Sequence, residues 1–317
     1  MENGFKVISG WSNDQLVDDV CTYLSKFLHL NTEPVDIKLG NFSDGETRVE
    51  IKENLRGYHV FVIQSLSNPV NDNLMELCFI LDALKRASVS QVTVILPYYG
   101  YARQDRKVLP RVPISAKVVA DIIQTCGLDR LVTIDLHANQ IQGFFNCPVD
   151  NLYASSILLN HMDIDKDTVI VSPDKGGTEL AMYYAQKLNC ELAFCYKHRE
   201  KPNEVAEMKL IGNVKNKNCI LVDDMIDTAG TLVKAGRLLK QYGAKDIEVY
   251  ATHGIFSGPS IDRLENSEIS QINITNTIQL PSQILTSPKF NVINVDMLIA
   301  EAIKRIYNKE SLSELFI

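Results

Sequence analysis

The sequence predicts an α/β protein made of two similar, doubly wound domains with mainly parallel sheets. Short β-branched runs recur along the chain, each nearly continuous in apolar character, as strands covered on both faces should be. They are KVISG, HVFVIQS, QVTVILP, RLVTIDL, DTVIVSP, NCILVDD, DIEVYATHG and INITNT. Between them lie amphipathic stretches such as NDNLMELCFILDALKRA, whose leucines recur at spacings of three and four residues. This alternation of strand and helix patterns is typical of layered α/β folds.

The length of 317 residues predicts about two domains, each able to bury a core. One round of the pattern ends near residue 150 and another begins at DTVIVSPD, so we expect domains at 1–150 and 151–317. The last helix, 296–308, carries Ile299, Ile303 and Ile306 on one face. It could pack on either domain, including back on the first.

Composition narrows the class of protein. Lys and Arg total 32 against 39 Asp and Glu, giving a formal charge of -7, and no basic run stands out, which argues against nucleic acid as a partner. The seven cysteines are scattered without a C-x-x-C pair and indicate reduced thiols. The first residues lack a secretory pattern, and no window approaches the roughly 20 apolar residues of a membrane span. We therefore expect a cytoplasmic protein that does not contact a membrane.

The stretch ILVDDMIDTAGT predicts a phosphate-binding turn. A buried strand leads into a short polar turn and then a helix, whose N-terminus offers unpaired N–H groups and a partial positive charge. Gly230 lets the backbone approach an anion closely, and Thr228 and Thr231 add hydroxyl donors. The alternative is an ordinary turn in which Asp227 or Thr228 simply caps the helix.

Two adjacent acids at the end of this strand favour a ligand site over a plain turn. Asp223 and Asp224 would repel each other without a cation or a hydroxyl-rich ligand. A sugar phosphate supplies both requirements, because its phosphate fits the helix start and its hydroxyls fit the carboxylates. At this loop the chain resembles the phosphoribosyltransferase fold family.

Two further strand ends offer candidate metal ligands. Asp135 and His137 follow RLVTI, and Asp174 lies in SPDKGG after the next predicted strand. Carboxylate oxygens suit Mg²⁺ near phosphates, although imidazole is an unusual ligand for this ion. The alternatives are a structural histidine and a plain N-cap at Asp174.

Three stretches could contact a polyphosphate or a base. YARQDRK follows a strand and concentrates cations that could stack on a purine or fork onto phosphate oxygens, although charge runs are usually solvated. NFSDGETRVEI contains a turn at Ser43, Asp44 and Gly45, which a plain hairpin would also explain. CYKHREKPNEV places Lys197 and Arg199 on a strand that runs into a Pro-containing loop suited to closing over a ligand.

Taken together, FSDGE, YARQDRK, DLHANQIQGFF, SPDKGG and VDDMIDTAGT resemble the ribose-phosphate pyrophosphokinase family in order and spacing, over almost the full chain. The resemblance implies transfer of diphosphate from Mg-ATP to the anomeric hydroxyl of ribose 5-phosphate, giving phosphoribosyl pyrophosphate and AMP. It also implies Mg²⁺ as cofactor and a homo-oligomer, a hexamer in the phosphate-activated members.

The resemblance assigns the site residues as follows. ATP is held by Phe42, Asp44, Gly45, Glu46, Arg103, Gln104 and Asp105. Mg²⁺ is held by His137, Asp174 and Asp135. Ribose 5-phosphate is held by Arg199, Asp223, Asp224, Asp227, Thr228, Ala229, Gly230 and Thr231. Lys197 and Arg199 act in catalysis.

Two other functions share part of this pattern. A phosphoribosyltransferase acting on a nucleobase would need VDDMIDTAGT but neither FSDGE nor YARQDRK. A non-catalytic regulatory homologue would have no use for Lys197, Arg199, His137 and Asp174. The chain also departs from the family at Lys175, where a His or small residue is expected, and at Leu109 and Pro110.

Overall fold

The computed structural model describes residues 4–198 and 207–316. The chain divides into two compact units. The first comprises Met1–Tyr153, Thr277–Gln279 and Asn294–Ile317, and the second Ala154–Asn276 and Leu280–Ile293. The final helix therefore belongs to the first unit, where it contacts the first helix of the chain.

The first unit is built around a parallel sheet. Its elements are β1 Phe5–Ser9, α1 Asp14–Leu28, β2 Ile37–Asn41, β3 Thr47–Ile51, β4 His59–Ile63, α2 Val70–Arg86, β5 Gln91–Leu96, α3 Ser115–Cys126, β6 Arg130–Ile134, β7 Val149–Leu152 and α9 Asp296–Asn308. The sheet order is β1-β4-β5-β6-β7, with every neighbouring pair parallel. Strands β2 and β3 form a separate antiparallel hairpin.

Helix α2 shows how the pattern builds the first core. Its residues Leu74, Leu77, Leu81 and Leu84 are buried in one cluster with apolar side chains of β4 and β5. Burying each such side chain contributes roughly 1.5–3 kcal/mol relative to leaving it exposed. The helix predicted from the leucine spacing is thus confirmed, at Val70–Arg86.

The second unit has a larger sheet. Its elements are α4 Ser155–Leu158, β8 Thr168–Ser172, α5 Thr178–Leu188, β9 Glu191–His198, β10 Glu207–Ile211, β11 Asn218–Ile226, α6 Gly230–Gln241, β12 Asp246–Gly254, α7 Ser260–Glu265, β13 Gln271–Thr275, α8 Ser282–Thr286 and β14 Phe290–Ile293. The order is β10-β9-β8-β11-β12-β13-β14. Only the β9–β10 pair in this described sheet is antiparallel.

The strand order of this second sheet reverses at β8. From β8 the chain moves to β9 on one side, whereas from β11, on the other side of β8, it moves outward through β12 and β13. In open α/β sheets, ligands bind beyond the carboxyl ends of the strands at such a reversal. The reversal therefore marks the carboxyl ends of β8 and β11 as a binding edge.

The α/β class with mainly parallel sheets is confirmed, and each predicted run forms a strand. One boundary was wrong, because the predicted strand end at Asp223 and Asp224 lies inside β11, which continues to Ile226. Pairing with β8 stops at Leu221, but pairing with β12 runs on to Gly254 and keeps the chain extended. Both acids therefore lie on the part of β11 that extends past β8.

A close backbone approach in the first unit gives a stability prediction. A Cβ on Gly100 would lie 2.3 Å from the carbonyl oxygen of Leu66, whereas a Cβ on Gly40 would meet nothing within 4 Å. We expect Gly100→Ala to lower the free energy of unfolding by about 1–3 kcal/mol through overpacking. Gly40→Ala should change it by less than about 0.5 kcal/mol. Denaturant unfolding checks both, and equal effects of the two variants would contradict the prediction.

Candidate functional site

Three carboxylates meet at the reversal of the second sheet. The turn after β8 packs against β11, since a Cβ on Gly177 would lie 3.6 Å from the carbonyl oxygen of Val222. Asp174, in this turn, is close enough to Asp223 to affect its ionisation. Burial, the charge and hydrogen bonding of Asp224, and the charge of Asp174 raise the pKa of Asp223 well above its ordinary value. This arrangement suits a ligand whose hydroxyl groups donate hydrogen bonds to the carboxylates.

Asp174 also orders the turn that carries it. Its Oδ1 accepts hydrogen bonds from the N–H of Gly176 at 2.8 Å and of Gly177 at 3.4 Å. The Ser172 hydroxyl donates to the Asp174 carbonyl oxygen at 2.6 Å. Helix α5 begins at Thr178 with Gly177 as its N-cap and no side-chain cap, so the N-cap role left open for Asp174 is not what the structure shows. Its carboxylate instead closes the turn before the helix.

The start of α6 has no side-chain cap. The helix begins at Gly230, and its N-cap residue, Ala229, is left-handed with φ 60° and ψ 1°. Capping by Asp227 or Thr228, the alternative reading of this turn, is not what the structure shows. The first N–H bonded within the helix is that of Val233, accepted by Ala229 at 3.0 Å. The preceding N–H groups and the helix dipole suit an anion at this end.

Residues later in the chain hold the turn before α6 through hydrogen bonds. Arg263 donates from Nη1 to the carbonyl oxygen of Thr228 at 3.0 Å, and the Ser257 N–H donates to that of Asp227 at 3.1 Å. No local sequence signal identified Arg263. A Cβ on Gly230 would have only the Thr228 hydroxyl, at 3.9 Å, within 4 Å. The space beside Gly230 is therefore open. The residue with the left-handed conformation is Ala229 rather than Gly230.

In the first unit, the predicted FSDGE turn is the tip of the β2–β3 hairpin. The N–H of Phe42 donates to Glu46 at 2.8 Å, that of Glu46 to the Asp44 carboxylate at 3.1 Å, and Gly45 has φ 94°. Phe42 is 51% exposed. The Arg48 guanidinium lies 5.8 Å from its ring centroid. The hairpin thus presents an aromatic face to solvent next to a cation.

The other residues predicted in this unit follow β5 and β6. Asp105 accepts a hydrogen bond from Gln140, and Gln104 accepts one from Ser115, so both side chains have partners within the unit. Arg103 is exposed. The neighbouring ends of β5 and β6 thus carry a cation and polar groups at one sheet edge.

The candidate metal ligands of the first unit follow β6. Asp135 has φ 43° and donates its N–H to Leu152 at 2.9 Å, while His137 is exposed. A left-handed non-glycine residue costs free energy and is common at functional sites. Within residues 4–198 and 207–316, no group of three or more His, Cys, Asp or Glu is arranged to hold a metal ion.

Lys197 lies on β9, but its side chain and the whole of Arg199 lie outside the described residues. Their predicted catalytic role is therefore a prediction without a structural description. No helix among the described residues is long and apolar enough to cross a membrane.

Two cavities lie away from all of these residues. One cavity has a volume of about 490 Å³ and is lined in part by the first residues of β4, β5 and β6. The other has a volume of about 420 Å³ and is lined in part by the first residues of β11 and β12. Both lie at the amino ends of parallel strands. Because such sheets bind ligands at the carboxyl ends, we assign the function to the carboxyl edges instead.

Comparisons with known proteins agree with the motifs. Residues 5–127 match the family model of the N-terminal domain of ribose phosphate pyrophosphokinase, and residues 195–317 match that of the phosphoribosyl synthetase-associated domain. A ribose-phosphate pyrophosphokinase of Aquifex aeolicus is 47% identical over 317 residues, covering 99% of each chain. One of Caldanaerobacter subterraneus is 49% identical over 317 residues, covering 99% of this chain and 98% of the relative.

A solved structure supports the same assignment. The crystal structure of phosphoribosylpyrophosphate synthetase from Mycobacterium smegmatis matches with a TM-score of 0.90 at 38% identity. The match covers 97% of this chain and 100% of that chain. The predicted phosphoribosyltransferase-like fold class is thereby confirmed.

The carboxylate cluster gives a pH-dependent prediction. Because the folded-state pKa of Asp223 is raised above its ordinary 3.8, its ionisation destabilises the native state at neutral pH. This penalty is absent below the unfolded-state pKa and grows as pH rises through the folded-state pKa. We expect Asp223→Asn to raise the unfolding temperature at pH 7, with a gain that shrinks as the pH falls.

Thermal unfolding measured across a pH series checks this expectation. Asp167→Asn, which removes an exposed carboxylate of the same unit, is the matched control and should show no comparable gain. An unfolding temperature for Asp223→Asn that is lower than the native value at pH 7 would contradict the electrostatic interpretation.

Proposed function

This chain belongs to the ribose-phosphate pyrophosphokinase family, and we propose how its residues transfer diphosphate from ATP to ribose 5-phosphate. The products are phosphoribosyl pyrophosphate and AMP, and the reaction serves nucleotide biosynthesis. The observation that carries the assignment is the pair Asp223 and Asp224 on β11, followed in the chain by the uncapped start of α6.

The acceptor sugar binds at the carboxyl edge of the second sheet. Its 5-phosphate occupies the start of α6, where backbone N–H groups and the hydroxyls of Thr228 and Thr231 donate hydrogen bonds. Asp223 and Asp224 accept hydrogen bonds from the ribose hydroxyls. Burial and the charge of Asp224 raise the pKa of Asp223, and hydroxyl donors offset both effects by hydrogen bonding to the carboxylates. The turn before α6, already fixed by Arg263 and Ser257, needs little ordering on binding.

The nucleotide binds through residues of the first unit. Phe42 stacks on the base from the hairpin tip, with Asp44, Gly45 and Glu46 beside it. Arg103 forks onto phosphate oxygens or stacks on the purine, and the neighbouring Gln104 and Asp105 complete this side of the site. The exposure of Phe42 and Arg103 supports these roles.

In the chemical step, the anomeric oxygen of the sugar attacks the β-phosphorus of ATP. The new oxygen–phosphorus bond forms as the bond between the β-phosphorus and the α,β-bridging oxygen breaks, so AMP leaves and the diphosphate moves intact, while the proton of the anomeric hydroxyl passes to solvent. Such transfers depend on positioning and on stabilising charge that develops on phosphate oxygens. Lys197 and Arg199 supply that stabilisation, and no covalent nucleophile is required.

The carboxylates present fit Mg²⁺. This ion is usually held by one or two carboxylates together with substrate phosphates. Asp174 would be its ligand in the second unit, and Asp135 and His137 are the candidate ligands of the first unit. When bound, Mg²⁺ supplies charge neutralisation at the phosphate oxygens. We further propose that the enzyme works in the cytoplasm as a homo-oligomer, specifically a hexamer.

The reaction itself gives the first test. Incubation with Mg-ATP and ribose 5-phosphate should release AMP only when the sugar is present. Sugar-dependent AMP distinguishes synthesis from the two alternatives, a nucleobase phosphoribosyltransferase and a non-catalytic homologue. Binding of both ligands without AMP release would favour the non-catalytic homologue.

Lys197 gives a residue-level prediction. Lys197→Ala should lower turnover about 10²-fold or more, as loss of one preorganised electrostatic group does. Lys209→Ala, the same change on the neighbouring strand β10, is the control and should stay close to native. Near-normal turnover of Lys197→Ala at saturating substrates would exclude the proposed role.

Phe42 tests the nucleotide side. Loss of base stacking costs about 1–3 kcal/mol, so Phe42→Ala should raise the KM for ATP about tenfold while leaving the KM for ribose 5-phosphate near native. Phe42→Trp should restore the KM. As a control, Leu285→Ala removes another exposed apolar side chain, in α8, and should have no effect. An unchanged KM for ATP in Phe42→Ala would rule out stacking by this ring.

A further inference from the structure

Lys175 places a positive charge in the turn that carries Asp174. The side chain is exposed, and among residues 4–198 and 207–316 it forms no ion pair. An exposed lysine is usually just solvated, so its surroundings decide whether this one has a role.

Those surroundings are acidic. Asp174 precedes Lys175 in the chain, and the charges of Asp224 and Asp174 both act on Asp223. A phosphomonoester carries about -1.5 to -2 charge at pH 7. The carboxylates that would bind the sugar hydroxyls therefore repel the phosphate group of the same ligand. A cation at the same edge offsets part of that repulsion.

The backbone of this turn is fixed even though the lysine side chain is not. The Asp174 carbonyl oxygen accepts from the Ser172 hydroxyl at 2.6 Å, and the Lys175 carbonyl oxygen accepts from the Thr178 hydroxyl at 3.1 Å. Packing of Gly177 beside Val222 holds the turn against β11. The flexible four-carbon stem of Lys175 therefore starts from a defined point at the sheet edge where the ligand binds.

We propose that Lys175 is a binding residue for ribose 5-phosphate, attracting its anionic group and offsetting the carboxylates of Asp174, Asp223 and Asp224. This inference rests on the proposed function of the same edge. The interaction is electrostatic and acts across solvent, so it depends on charge rather than on a single hydrogen-bond geometry. Salt weakens it, because the screening length falls from about 10 Å at 0.1 M to about 3 Å at 1 M.

The test is calorimetric titration of the full chain with ribose 5-phosphate, without ATP and at constant Mg²⁺. Lys175→Met removes the charge and keeps the length of the side chain. It should weaken binding about tenfold at low salt, and the difference from native should shrink to less than about threefold near 1 M salt. Lys175→Arg should bind like the native chain.

A matched control comes from α5, the helix that follows this turn. Lys187→Met removes an exposed charge at the far end of α5, where the ammonium lies 5.6 Å from the Tyr183 ring centroid. It should bind ribose 5-phosphate like the native chain. A comparable loss in both lysine variants would show a nonspecific effect of net charge and would overturn the assignment to Lys175.

The outcomes separate the two levels of inference. If the native chain binds ribose 5-phosphate and Lys175→Met binds equally well at low salt, Lys175 is only a solvated surface cation and the further inference fails. A loss that does not change with salt would overturn its electrostatic basis. If the native chain does not bind ribose 5-phosphate at all, the proposed function fails first.

Discussion

The packing of the turn after β8 against β11 is the constraint on which the acceptor site depends. A Cβ on Gly177, in this turn, would lie at van der Waals distance from the Val222 carbonyl oxygen, and the charge of Asp174, in the same turn, acts on Asp223. Burial first, and then the neighbouring carboxylates of Asp224 and Asp174, raise the pKa of Asp223. A fold that keeps such a cluster gives up stability for a site complementary to hydroxyls and cations. Helix α6 follows β11 in the chain, and its uncapped start adds a site that suits an anion.

The two units reach their functional edges in different ways. In the second unit, the reversal of strand order opens the carboxyl ends of β8 and β11, so the site follows from topology. In the first unit the strand order runs in one direction, and the candidate nucleotide residues come from the loop after β5 and from a separate hairpin. Phe42 at the hairpin tip is exposed, as a residue that stacks on a flat ligand must be.

Much of this structure could be predicted from local patterns. Continuous apolar runs gave the parallel strands because both faces of these strands are covered, and leucine spacing gave α2. The hairpin strands β2 and β3 were harder, since their residues are only partly buried and alternate weakly. The end of β11 was misplaced because the polar pair Asp223–Asp224 looks like a strand end, whereas pairing with β12 prolongs the strand.

The site could be predicted residue by residue but not as an arrangement. Sequence assigned Asp174 to a metal and Asp223 to a sugar, and their proximity emerged only from the pairing of β8 with β11. Likewise, Gly230 was taken as the special backbone position, whereas the left-handed residue is Ala229 and the turn is held by Arg263, 35 residues away from its partner Thr228. Long-range contacts of this kind leave no local signal.

The most direct measurement is a crystal structure of the chain with ribose 5-phosphate. The account predicts the 5-phosphate at the start of α6, within hydrogen-bonding distance of the N–H groups of Gly230 and Thr231, with the ribose hydroxyls on Asp223 and Asp224. A sugar phosphate bound instead in the cavity at the amino ends of β11 and β12, with nothing at the start of α6, would contradict it.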